Sequence, residues 1–151
     1  MVYIEECRQQ ISRWLEALLR SRGGDLEKVN SLGRELGERL GRFAMRGKML
    51  RGAMVCLASR LLDGGIRPPE EAALAVGAAM ELFQSGLLVH DDIMDRDATR
   101  RGQPTIHRQY AGEAERRGVR DPEHLGQSLG ICAGDAAFFL GFEVLAGPPV
   151  P

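Results

Sequence analysis

Apolar residues recur along this chain at three- and four-residue intervals and almost nowhere at every second position, so the pattern predicts helices. Ile4, Cys7, Ile11, Trp14 or Leu15, and Leu18 form the stripe of a first amphipathic segment from about Ile4 to Arg20, which Gly23-Gly24 is expected to end. Asp25 suits the N-cap of a second helix, with Leu26, Val29, Leu32, Leu36 and Leu40 as its apolar face. A third helix is predicted from about Met54 to Leu62, stopped by Asp63-Gly64-Gly65. Pro68-Pro69-Glu70-Glu71 then supplies the proline and acidic groups of a first turn, and an Ala-rich helix follows through Met80, Phe83, Leu87 and Leu88 to about Asp95. Residues 96–106 form a polar, charged stretch with Gly102 and Pro104 and read as a loop. Tyr110 to Arg117 is a short helical candidate. Asp121-Pro122 opens a last helix, Glu123 to about Ala146, apolar around most of its circumference and hence expected to be buried. The fold class is therefore all-α, ending in the Pro-rich residues 147–151.

Gly33, Gly37 and Gly41 repeat every four residues on one side of the second helix. They either admit a neighbouring helix at close range or are tolerated surface glycines, and the pattern leaves both readings open.

Composition narrows the class. The chain has 151 residues, 44% apolar and 27% charged, enough for one domain with a sizeable core. The apolar run from Leu82 to Val89 is broken by Gln84 and closes on His90-Asp91-Asp92, so no stretch is expected to reach the roughly 18 uninterrupted apolar residues of a membrane span. The N-terminus shows neither a basic n-region nor an apolar h-region, and the expected compartment is the cytosol. Cys7, Cys56 and Cys132 lack CxxC or Cys/His spacing, which argues against a disulfide frame or a zinc site; they read as small buried hydrophobes. With 20 basic and 21 acidic side chains there is no overall field to hold nucleic acid.

The charges are nevertheless clustered. Asp91-Asp92-Ile93-Met94-Asp95 ends a mostly apolar helix, with Asp91 and Asp95 one turn apart and Asp92 beside them. Three carboxylates near a helix C-terminus repel one another and oppose the macrodipole unless cations neutralise them. Mg²⁺ takes one or two carboxylates together with waters and phosphate oxygens, so the cluster suits a phosphorylated ligand; a solvated acidic helix end is the plain alternative. Downstream lie Arg96, Arg100 and Arg101, and upstream Lys48 and Arg51. Guanidinium forks grip phosphate and an ammonium adds a point charge, so the combination suggests diphosphate. Its plain counterpart is an Arg-Asp network that ties the loop to the helix. His90 reads as a hydrogen-bonded structural residue, His107 as one that orders the loop, and Asp135 as a polar packing residue.

The run from Asp91-Asp92-Ile-Met-Asp95 through Arg100-Arg101-Gly-Gln-Pro-Thr-Ile-His107 resembles the first aspartate-rich region of trans-isoprenyl diphosphate synthases. Gly47-Lys48-Met-Leu-Arg51 resembles that family's GGKxxR motif, with Arg46 in place of the first glycine. Glu81-Leu-Phe-Gln84 and the run opened by Gly134-Asp135 agree in order, and the resemblance spans roughly residues 40 to 146. It implies an antiparallel helix bundle of the isoprenoid synthase type. It also implies a Mg²⁺-dependent head-to-tail condensation of isopentenyl diphosphate with an allylic diphosphate. Asp91, Asp92 and Asp95 would hold Mg²⁺ against the allylic diphosphate, with Arg100 on the same group. Lys48, Arg51, Gln84 and Arg101 would hold isopentenyl diphosphate. Phe83, Gly86 and Leu87, one and two turns before Asp91, are the implied chain-length residues, with Phe83 a candidate floor for a product near C20; the plain alternative is that Phe83 and Met80 pack in the core.

Family members are usually about twice this length and carry a second aspartate-rich motif beyond the part resembled here. The expectation is thus the N-terminal half of a prenyl diphosphate synthase, incomplete by itself and acting as a homo- or hetero-oligomer or with a partner that supplies the second motif. The alternative is a non-catalytic diphosphate-binding or regulatory subunit. A terpene cyclase fragment shares DDxxD but leaves the Lys48–Arg51 and Arg100–Thr105 segments unexplained.

Overall fold

The computed structural model describes residues 2–29, 31–62, 64 and 70–147. Six helices and one short hairpin follow in order: α1 (Val2–Val29), α2 (Ser31–Met45), α3 (Leu50–Leu62), α4 (Glu71–Met94), β1 (Thr99–Arg100), β2 (Gln103–Pro104), α5 (Ile106–Arg116) and α6 (Pro122–Ala146). Central α4 packs chiefly on α6 and α3 and also meets α1, α2 and α5, while α1 lies along α2 and α5 along α6. The all-α reading holds.

The first helix does not stop at Gly23-Gly24 but runs on to Val29, so Asp25 is an interior residue rather than an N-cap. Ion pairs brace it there: Asp25 accepts from Lys28 at 2.9 Å and from Arg22 at 3.4 Å, and Arg22 also pairs with Glu143 of α6. α2 approaches the α1 backbone at this level, since a methyl group at Gly37 would lie 3.4 Å from the Gly23 Cα. Gly41 likewise faces Leu19 of α1. The close-approach reading thus applies at Gly37, whereas Gly41 leaves room for a methyl group.

α3 begins at Leu50, a turn earlier than its apolar pattern predicts, because its first turn is capped from another helix. The buried Glu81 carboxylate of α4 accepts from the Gly52 N–H at 2.9 Å. At the same level Gly52 and Gly77 let α3 and α4 touch backbone to backbone; a methyl group at Gly52 would sit 2.8 Å from the Gly77 carbonyl oxygen and 2.7 Å from Ile11. The predicted stop at Asp63-Gly65 and the Pro68-Pro69 start lie largely outside the described residues. α5 begins at Ile106, four residues before its predicted start. α6 starts as predicted, with Pro122 in its first turn and the Asp121 side chain accepting from the His124 N–H at 3.1 Å.

The main core gathers Cys7, Ile11, Leu15 and Leu18 of α1, Leu40 of α2, Cys56 of α3 and Ala78, Ala79 and Leu82 of α4. A second cluster, Val89, Ile106, Tyr110 and Ala133, lies beneath the hairpin end. Cys132 is exposed, so the expectation of three buried cysteines holds for Cys7 and Cys56 alone.

α6 departs most from expectation. Its buried residues are small, namely Gly126, Gly130, Ala133, Gly134, Ala137, Gly141 and Val144, whereas Phe139 and Phe142 are 72% and 60% exposed. A small-residue seam lets α4 and α5 approach closely, and the large side chains are left on the outer face. Both α4 and α6 are long and apolar enough to cross a membrane by length and composition, which corrects the expectation that no segment reaches that scale. One or two charged or amide side chains within 18 residues, such as Glu81 and Gln84 in α4, do not offset so many apolar neighbours. In α4 56% of that window is buried in the protein, in α6 33%.

Candidate functional site

Asp91, Asp92 and Asp95 occupy the last turn of α4, and the chain leaves it through a Schellman ending: the Asp97 N–H reaches the Asp92 carbonyl at 2.9 Å and the Arg96 N–H reaches that of Ile93 at 3.2 Å. Arg96 takes the left-handed position, φ 58°, where glycine is the usual occupant. This ending turns residues 97–105 back beside the carboxylates. Thr105, buried, locks the return by donating its hydroxyl to the Asp97 carbonyl at 2.9 Å.

The returning segment is a hairpin, where the sequence suggests only a loop. Thr99 pairs with Pro104 and Arg100 with Gln103 around a two-residue turn, Arg101-Gly102, with φ 53° and 72°. Two consecutive positive φ angles mark the turn type whose usual signature is Asn-Gly or Asp-Gly; arginine in the first position hides that signal.

The hairpin places its two arginines on opposite tasks. The Arg100 guanidinium donates to the Asp92 carboxylate and lies 3.6 Å from Asp97. Asp92 is 1% exposed, and its second oxygen, Oδ2, has no hydrogen-bond partner among the described residues. Burial pushes the Asp92 carboxyl above its ordinary range while Arg100 pulls it back. His107, also buried, is held below its ordinary value by desolvation, against the opposing charge of Asp92, and its Nδ1 has no partner among the described residues. Asp91, in contrast, is half-buried and Asp95 exposed. Among the described residues no group of three His, Cys, Asp or Glu side chains stands ready to hold a metal ion. Asp91 and Asp95, one turn apart, carry hard oxygen donors of the kind that fits Mg²⁺ with its waters and phosphate ligands, and the Asp92 carboxylate holds Arg100. The Arg-Asp network weighed as the plain alternative is present at this residue.

Arg101 reaches the other way. A methyl group at Gly47 would lie 3.6 Å from its Nη1, so the guanidinium rests against the segment that carries Lys48. Met49, 2% exposed and left-handed at φ 49°, anchors that segment in the core and leaves Lys48 and Arg51 in solvent on either side. The Glu81 cap fixes Gly52, next to Arg51, to α4 one turn before the half-buried Gln84. Segments about fifty residues apart in sequence thus meet at one end of the bundle.

Of the chain-length candidates, Phe83 packs on Phe142 at 5.0 Å and Phe138 at 6.3 Å between ring centroids, and Gly86 faces the Gly134 carbonyl. Leu87 is 51% exposed. His90 fits into the seam at Gly134, 3.2 Å from the Ile131 carbonyl and 3.5 Å from Asp135, in keeping with a structural role. Glu81 and Thr105 were not singled out in the sequence as positioning residues. An acidic residue in the middle of an Ala-rich helix, far from the acidic groups at its two ends, is the signal that points to Glu81.

The model of the polyprenyl synthetase family matches residues 34–148, well over half of the chain. The chain belongs to that family. Among curated polyprenyl synthetases it is 37% identical over 103 residues to the geranylgeranyl diphosphate synthase of Sulfolobus acidocaldarius, covering 68% of this chain and 26% of the relative. It is 36% identical over 100 residues to the geranylfarnesyl diphosphate synthase of Aeropyrum pernix, covering 66% and 26%. The solved geranylgeranyl pyrophosphate synthase of Corynebacterium glutamicum, complexed with isoprenyl diphosphate and magnesium, superposes with a TM-score of 0.79 at 28% identity over 95% of this chain and 40% of that one. The fold is thus that of the all-α isoprenoid synthases, and the chain spans about a quarter of the curated relatives it matches.

Proposed function

We propose that this chain supplies the N-terminal, diphosphate-gathering part of a trans-prenyltransferase that joins isopentenyl diphosphate to an allylic diphosphate. The observation that carries the reading is the reach of Arg101 to Gly47, which brings the hairpin beside Lys48 while its neighbour Arg100 is fixed at the carboxylates. Asp91 and Asp95 hold Mg²⁺, and Arg100, oriented by Asp92, faces the allylic diphosphate. Lys48, Arg51, Gln84 and Arg101 bind and orient isopentenyl diphosphate; Gln84 donates from its amide without titrating. Magnesium, when bound, supplies positive charge that stabilises the departing diphosphate. The protein's part is to hold the two diphosphates so that the alkene of one faces the allylic carbon of the other. Phe83 closes the path of the growing chain.

The remainder of such an enzyme comes from further chain or from a partner subunit carrying a second aspartate-rich motif. A second reading, a non-catalytic diphosphate-binding or regulatory subunit, would use the same carboxylates and arginines to bind diphosphate without turnover. One experiment separates them: Mg²⁺-dependent incorporation of labelled isopentenyl diphosphate by the purified chain, with and without a candidate C-terminal half. Activity in the mixture that vanishes with Asp91→Ala is expected, with longer products from Phe83→Ala. Incorporation that persists in Asp91→Ala sinks the site assignment, and a mixture without turnover favours the regulatory subunit.

A further inference from the structure

Behind the hairpin, on the side facing α2, lies a cavity of about 250 Å³ lined by Arg39, Arg42, Arg46, Arg100 and Arg101, and by no carboxylate. Lys48, Arg51 and Gln84 do not line it.

The five guanidinium groups are unequally neutralised. Arg39 lies 3.6 Å from Glu35, donates to Gln109 at 3.2 Å and stacks over the Tyr110 ring at 4.5 Å, while its Nε is buried without a hydrogen-bond partner. Arg42 is 3.8 Å from Glu38 on its own helix, an exposed pair of little strength. Arg100 is engaged by Asp92 and Asp97. Arg46 and Arg101 have no carboxylate partner among the described residues. Arg101 is held in the left-handed region at φ 53°, a conformation that costs free energy in a residue with a Cβ, and the turn keeps its side chain at this rim. Converging like charges repel, and a compact multivalent anion relieves the repulsion while accepting several forked hydrogen bonds. Phe43 and Pro104 are the apolar lining, too little to house a hydrocarbon tail.

We propose that this cavity is a second anion site, taking free inorganic diphosphate through Arg42 and Arg46, and adjoining the Lys48, Arg51, Gln84 and Arg101 set through Arg101, which lines both. It requires neither Mg²⁺ nor turnover, and Arg42 and Arg46, which the synthase reading does not use, tell its failure from the failure of that reading.

The test is calorimetric titration of the purified chain with inorganic diphosphate in EDTA, repeated at rising salt and with isopentenyl diphosphate as competitor. Binding weakened by salt and lowered at least tenfold in Arg42→Gln/Arg46→Gln, but not in Lys48→Gln/Arg51→Gln, is expected. Both pairs are surface residues, and matching circular dichroism melts verify folding; single Arg46→Gln provides a milder variant. Affinity unchanged in Arg42→Gln/Arg46→Gln, or lost only in Lys48→Gln/Arg51→Gln, overturns the proposal. Isopentenyl diphosphate binding this cavity more tightly than inorganic diphosphate overturns the commitment to a free anion.

Discussion

A buried imidazole beside a buried carboxylate gives the hairpin end a defined pH response. His107 is held below its ordinary value of 6.5 chiefly by desolvation, so as pH falls through 6.5 the unfolded chain takes up a proton that the folded chain refuses. The contribution of His107 to stability is therefore present above pH 6.5 and lost as pH drops below it, with a slope of at most about 1.4 kcal/mol per pH unit. The expected outcome is a thermal midpoint that declines from pH 7 to pH 5 and declines less in His107→Gln; an equal decline in both assigns the effect elsewhere. Asp92 runs the opposite way. Its carboxyl is raised, so its contribution is full below the ordinary carboxylate range and diminishes as pH rises through the raised value. The two titrations oppose each other. Such a response was not readable from the sequence, where His107 and Asp92 stand fifteen positions apart and only the hairpin brings them close.

Two helices end in the same way with different residues. α5 closes through Gly118 at φ 70°, with the Val119 N–H on the Ala114 carbonyl at 3.0 Å; α4 makes the same closure with Arg96 at φ 58°. A side chain in the left-handed region costs about 1 kcal/mol, which Gly118 avoids. Arg96→Gly should accordingly raise stability by about 1 kcal/mol in denaturant titration, with the hairpin retained, whereas Gly118→Arg should lower it by a similar amount. A destabilised Arg96→Gly would mean that the Arg96 side chain makes a contact worth more than the strain. The same lesson in local chemistry applies to the start of α3. The apolar periodicity places it late because Leu50 and Arg51 enter no core of their own, and the Glu81 cap that pulls the start forward comes from α4.

At the scale of the molecule, helices meet through small residues, and the positions differ in what stands opposite them. A methyl group at Gly126 would lie 2.5 Å from the His107 carbonyl, a rigid backbone atom, whereas at Gly41 the nearest atom is Leu19 Cδ1 at 3.8 Å. Gly41→Ala is expected to stabilise by about 1 kcal/mol through helix propensity alone. Gly126→Ala is expected to cost about 2 kcal/mol or more, because α5 must move. Melting both variants checks the pair, and a neutral Gly126→Ala would show that the α5–α6 contact is looser than drawn. These seams also explain the outer face of α6. Once glycine and alanine fill the inner stripe, the phenylalanines are left outside.

The helical periods and the order of the aspartate, lysine and arginine motifs suffice to fix the fold class, the family resemblance and the residues to watch, since each is a local property of consecutive positions. They do not say that Asp92 holds Arg100, that Arg100 and Arg101 turn to opposite sides, or that five arginines gather behind the hairpin. Those outcomes depend on where the chain returns after α4, and that return is set by a left-handed Arg96, a buried Thr105 and the close packing of α4 and α5 on α6. Burial and partnership are relations between distant residues, so the charge state and direction of each side chain were decided by tertiary structure alone.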